Sequence, residues 1–113
     1  MSVFKNANEQ TIKENQMPQL INDFKTQFPD IWAAYTQLKT ACDQGGPLDR
    51  KTTELIKIGI SAAMGHEGGL MAHISQARKA GAQEDEIYQA IMSATGLAGF
   101  PAVLKAFAAA KKS

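Results

Sequence analysis

At 113 residues, with 44% hydrophobic and 20% charged side chains, the chain has the size and make-up of one ordinary folded domain, with no room for a second. Twelve basic residues stand against eleven acidic ones, a formal charge of +1, and the signs are interspersed along the chain, which argues against nucleic acid or an anionic membrane as partner. No apolar stretch approaches a membrane span, and Met1-Ser2-Val3-Phe4-Lys5-Asn6 lacks the apolar core of a secretory signal, so a cytoplasmic location is expected.

Residues 1–16 are polar and read as an arm leading into a single domain over 17–113. A first helix is expected from about Pro18 to Phe28, with Leu20, Ile21, Phe24 and Phe28 facing inward. Pro29 is tolerated in a first turn and opens a second helix to about Gln44, ended by Gly45-Gly46-Pro47. Phe28, Ile31, Tyr35, Leu38 and Cys42 recur at steps of three and four, which puts the lone cysteine on an apolar stripe as a buried, inert thiol. A one-cysteine peroxidase would need that thiol exposed beside a basic partner, and no such partner is evident in the sequence.

Asp49 is a good N-cap for a third helix that carries Leu55, Ile56, Ile58, Ile60, Ala62 and Ala63 and ends at Gly65. Its apolar residues spread over most of its sides, the pattern of a buried central helix. The fourth helix starts near Glu67 or Gly68 and stops at Gly81, with Arg78 and Lys79 in its last turn. The fifth runs from Glu84 to about Leu97, with acidic Glu84, Asp85 and Glu86 at its start and Ile87, Ala90, Ile91 and Ala94 on its inner face. Gly99 separates it from a last helix beginning at Phe100-Pro101 and continuing through Val103, Leu104 and Phe107. No segment alternates with the two-residue period of a half-buried strand, so the fold expected is all-α, a single helical domain of about six helices.

Residues 64–73 hold both histidines and three glycines. If the chain is helical from His66 onward, His66, Gly69 and His73 lie at i, i+3 and i+7 and share a face. Glu54 lies within the apolar third helix, and His73 is flanked at helical spacing by Leu70 and Ala77. A largely buried carboxyl and a largely buried imidazole each need a partner, and each can serve the other. Such a pair can carry a proton near neutral pH, which makes Glu54 and His73 the candidate catalytic residues, with His66, Gly69 and Glu67 as candidates for substrate binding. The plainer alternative is a core histidine satisfied by a buried glutamate, with Gly68-Gly69 serving helix packing. No metal is expected: seven residues of helix separate the two histidines by about 10 Å, too far for both to bind one ion. No cofactor is expected either.

The segment Leu48-Asp49-Arg50-Lys51-Thr52-Thr53-Glu54-Leu55-Ile56, followed by Gly65, His66, Gly69 and His73, resembles the core of the carboxymuconolactone decarboxylase and alkylhydroperoxidase D-like superfamily, L-x-x-K-T-x-E-L-I, a glycine, then C-x-x-C-x-x-x-H. Glu54 and His73 stand on that pattern's glutamate and histidine, while His66 and Gly69 stand where its two cysteines would be. Agreement continues through Ala80-Gly81-Ala82 and Gly99-Phe100-Pro101-Ala102 and covers roughly residues 46–108. The resemblance implies a helical protomer assembling as a homotrimer or homohexamer. It also implies one branch that reduces peroxides through the two thiols, and another that works without them on a lactone bearing carboxylates. With both thiols missing, thiol-dependent peroxide reduction at this face is expected to be absent, and acid-base chemistry on a small carboxylated metabolite is expected. Candidate cations for a developing anion are Arg50, Lys51, Lys57 and Arg78. The alternatives are an alkylhydroperoxidase D-like protein that has lost its redox cysteines, and a non-catalytic oligomeric binding module.

Overall fold

A computed structural model describes residues 16–113, so the expected polar arm, apart from Gln16, lies outside the described residues. These residues form seven helical segments and no strand, an all-helical fold as expected: α1 (Met17–Gln27), α2 (Pro29–Asp43), α3 (Arg50–Met64), α4 (Glu67–Lys79), α5 (Glu84–Met92), α6 (Thr95–Ala98) and α7 (Phe100–Lys111). Cα proximity separates the chain after Gly45 into two compact units.

In the first unit, α1 and α2 pack on each other as a hairpin. Phe28 breaks the helix with φ −132° and ψ 64°, and Pro29 restarts it with a ring already set for a first turn. Phe24 and Phe28 stack with centroids 5.2 Å apart, Trp32 and Tyr35 at 5.5 Å, and the Lys25 ammonium sits 5.1 Å from the Trp32 ring centre. Neither helix has a buried residue. Leu20, Ile21, Phe24 and Phe28, expected to face inward, are 38–45% exposed, and Cys42, expected to be buried, is exposed. Helical spacing says which residues share a face, not what covers that face, and here each helix can shield only one side of the other.

The second unit is built on α3, which packs along α4 and also touches α5, α6 and α7. Asp49, in extended backbone, accepts a hydrogen bond from the Thr52 amide at 2.8 Å and starts α3. Gly65, at φ +67°, ends it: the His66 amide returns to the Ser61 carbonyl at 2.9 Å and the Gly65 amide to that of Ala62 at 3.2 Å, closing the helix end in the left-handed conformation that only glycine adopts freely. The α3–α4 connection is therefore tight.

The core is made of Ile58 and Ala62 from α3, Leu70, Ile74 and Ala77 from α4, Ile87 and Ile91 from α5, and Val103, Ala106, Ala109 and Ala110 from α7. Burying each of the five large residues Ile58, Leu70, Ile74, Ile87 and Ile91 contributes about 1.5–3 kcal/mol. α3 is not buried on all sides, as its composition suggests, since Ile56 and Ile60 are about half exposed. α5 is also shorter than its apolar pattern implies. Ser93 and Thr95 turn their hydroxyls onto the Gln89 and Met92 carbonyls, the competition with the backbone that ends helices, and Leu97 lies 93% exposed on the short α6.

Candidate active site on the α3–α4 hairpin

The antiparallel hairpin places a row of polar side chains along its seam. Farthest from the turn, Arg50 hydrogen-bonds Gln76. One turn along α3, Glu54 Oε1 lies 2.8 Å from His73 Nδ1. Two turns further, near the connection, the Ser61 hydroxyl approaches Gly69. Each step forward on α3 meets a step back on α4, as antiparallel packing requires.

Sequence spacing explains the alignment. Glu54, Ser61 and buried Ile58 fall on one side of α3, and Leu70, His73, Ile74 and Ala77 on the facing side of α4. Glu54 is 8% exposed, whereas the His73 side chain retains 24%, so the carboxylate is held inside and the imidazole reaches the surface. His73 is thus half-buried, less enclosed than its apolar flanks suggest. An ionised Glu54 accepts from the Nδ1–H of His73, which fixes the tautomer with its lone pair on Nε2. The other carboxylate oxygen lies 3.9 Å from the Lys57 ammonium.

Of the four cations that the sequence offers, only Lys57 is paired with this carboxylate. Arg50 is engaged by Gln76, Lys51 pairs with Glu86 at 3.0 Å, and Arg78 holds Glu84 through two hydrogen bonds of 2.8 Å. The Arg78 pair lowers the Glu84 pKa and raises that of Arg78; the Glu86 pKa is lowered first by the Gln83 amide and then by Lys51.

His66 departs from the expected geometry. It is the N-cap of α4, with φ −93° and ψ 86°, and is exposed. Its ring therefore does not continue the helical face toward His73 but folds over Gly69: a Cβ added there would stand 2.5 Å from His66 Nδ1 and 3.4 Å from Ser61 Oγ. Glu67, exposed in the first turn of α4, borders a crevice with His66, Ser61 and Lys105. The structure thus joins Glu54 to His73 and, separately, His66 to Gly69 near the helix start. Ser61 was missed by sequence reasoning, although its position seven residues after Glu54 marks the same helix face. Among the described residues, no cluster of three or more His, Cys, Asp or Glu side chains could hold a metal ion. No described helix is long and apolar enough to cross a membrane.

On the opposite side of α3, Leu55, Ile56, Gly59, Ile60 and Ala63 line an open groove of about 490 Å³ against α5, distinct from the polar seam.

Fold and seam together define a helical protein that carries a carboxylate–imidazole pair on an antiparallel hairpin. The chain matches over residues 29–112 and belongs to the carboxymuconolactone decarboxylase family. A comparison with curated proteins gave no match.

Proposed function

We propose that the chain is a small acid-base enzyme of the decarboxylase-like kind, acting on a small carboxylated or lactone-type metabolite through Glu54 and His73. The observation that carries this reading is the 2.8 Å contact between a buried carboxylate and an imidazole that still reaches solvent. A pair serving packing alone would have no need of an accessible ring. Glu54 orients His73 and stabilises its imidazolium, and Nε2 delivers or removes the proton. Loss of carbon dioxide leaves a carbanion or enolate, which His73 protonates, with Lys57 supplying positive charge beside the pair.

Self-association belongs to the same reading. Half-exposed Ile56 and Ile60, with the groove beside them, form an apolar surface that a second copy would cover.

The test is a thermal-shift screen of small carboxylates and lactones, since a ligand bound only by the folded state raises the melting temperature. Hits are then assayed for turnover in the wild type and in His73→Gln. Turnover lost in a folded variant supports the assignment. Undiminished turnover removes His73 from the mechanism.

A further inference from the structure

We infer that the seam binds an anionic group of its substrate together with a proton: a carboxylate settling beside Lys57 and His73 draws a proton from solvent onto His73 Nε2, so that ligand binding itself supplies the acid. This rests on the acid-base reading above.

The charges of the seam are layered. Glu54, its one acidic side chain, is 8% exposed, whereas the side chains of Lys57 and His73 keep 23% and 24%, and Arg50 is exposed. The negative group is therefore tucked between the helices, and the groups that carry positive charge lie outward. An approaching ligand meets the basic side first.

One carboxylate also serves two cation-forming groups. Oε1 lies 2.8 Å from His73 Nδ1 and Oε2 lies 3.9 Å from the Lys57 ammonium, so lysine and imidazole are separated by no more than the width of that carboxylate and its two contacts. With Glu54 ionised, Lys57 charged and His73 neutral, the formal charges cancel. A ligand carboxylate added to that trio sets two negative groups against one positive, which favours the protonated form of the imidazole. With His73 protonated, two cations face two anions. Anion and proton arrive together.

The surroundings add to the attraction without competing for the ring. Arg50, one turn or about 6 Å from Glu54 along α3, is bonded by Gln76, an uncharged partner that leaves the guanidinium charge uncompensated. On α5, Glu84 and Glu86 pair with Arg78 and Lys51; on α7, Lys111 lies over the Phe107 ring, and Lys105 borders the crevice at the start of α4 with His66 and Glu67. Among the described residues, Glu54 is the one acidic side chain paired with His73. The coupling is thus a property of Glu54, Lys57 and His73. It gives the reaction its donor: the bond to carbon dioxide breaks, the electron pair stays on carbon, and the proton taken up with the ligand passes from Nε2 to that carbon.

The experiment is a titration of the isotope-labelled full-length protein with sodium acetate at constant ionic strength, following the His73 ring by NMR at about pH 6 and about pH 8, a range in which imidazole changes charge and acetate stays ionised. Binding should be saturable and about fivefold tighter at the lower pH, the scale of one added charge contact in water-like surroundings. Acetamide, the neutral analogue, should bind at neither pH. Lys57→Met should weaken acetate binding at both, and Lys57→Arg, which keeps the charge, should restore it. Equal affinity at the two pH values, a linear response, an equal response to acetamide, or binding unaltered by Lys57→Met would each overturn proton-linked binding. Followed through the Glu54 and Lys57 amides, His73→Gln should keep weak acetate binding and lose its pH dependence, and a dependence that persisted there would overturn the role of His73 as the group that takes the proton. Turnover by a wild type whose acetate affinity ignores pH sinks the linkage alone. Proton-linked acetate binding without turnover of any screened carboxylate sinks the enzymatic reading alone.

Discussion

Glu54 and His73 stand 19 residues apart in sequence and meet at 2.8 Å because the tight Gly65 connection folds α4 back along α3. The carboxylate takes Nδ1 and leaves Nε2 as the nitrogen available to a substrate. Glu54→Gln keeps a hydrogen-bond acceptor for the ring but removes the charge that stabilises its imidazolium. Turnover of whichever carboxylate the screen identifies should fall by about 10²–10⁴-fold, the usual contribution of general acid-base catalysis, with the fold retained by circular dichroism. Glu54→Ala should also destabilise, by about 1–3 kcal/mol in urea titration, because His73 loses its buried acceptor. An unchanged rate in Glu54→Gln would reduce the pair to a structural contact.

The two glycines around the α3–α4 connection should respond in opposite ways. Gly65→Ala forces a side chain into the left-handed region at φ +67° and should cost about 1–2 kcal/mol. Gly69→Ala adds a Cβ whose nearest neighbour is the exposed His66 ring, which can rotate away, and alanine gains about 1 kcal/mol of helix propensity. Its melting temperature should match or exceed that of the wild type, while the His66 ring resonances shift. A large destabilisation would mean that His66 is pinned in place.

The pairing of Glu54 with His73 was legible in the sequence because each is a polar residue on an otherwise apolar helix face, and buried polar groups seek one another. The Asp49 cap and the Gly65 stop were legible for an equally local reason. What could not be read was what covers an apolar surface. Cys42 and Phe24 sit on well-formed stripes yet are exposed, and Ile60 shares a helix with fully buried Ile58 while lying half open. His66 was misplaced because one N-cap dihedral redirects a side chain, which no periodicity reports.

Acid should destabilise the second unit through three carboxylates whose pKa values are lowered in the folded state: Asp49 by the Thr52 cap, Glu84 by Arg78, and Glu86 by the Gln83 amide and Lys51. A lowered folded-state pKa contributes stability that is present above the unfolded value and lost as pH falls through the folded one. The melting temperature should therefore decline from about pH 5 downward, and the decline should be shallower in Glu84→Gln and Glu86→Gln. Asp49 and Glu84 are exposed and Glu86 is partly so, and the effect should therefore shrink in high salt. A pH profile identical in wild type and variants would remove these contacts as contributors.

Ile58 and Ile60 offer the sharpest contrast for self-association. Ile58 is 0% exposed, and Ile58→Ala should cost about 2–5 kcal/mol whether or not the protein assembles. Ile60 is 52% exposed on the groove side of α3, so Ile60→Asp should cost little in an isolated protomer. If a second copy covers that face, the buried charge should instead disfavour assembly, and sedimentation velocity at micromolar concentration should show a smaller species than the wild type. Because oligomerisation is linked to stability by mass action, the wild-type melting temperature should rise with protein concentration, and that of Ile60→Asp should not. A wild type that sediments as a clean monomer would show this apolar face to be simply solvated.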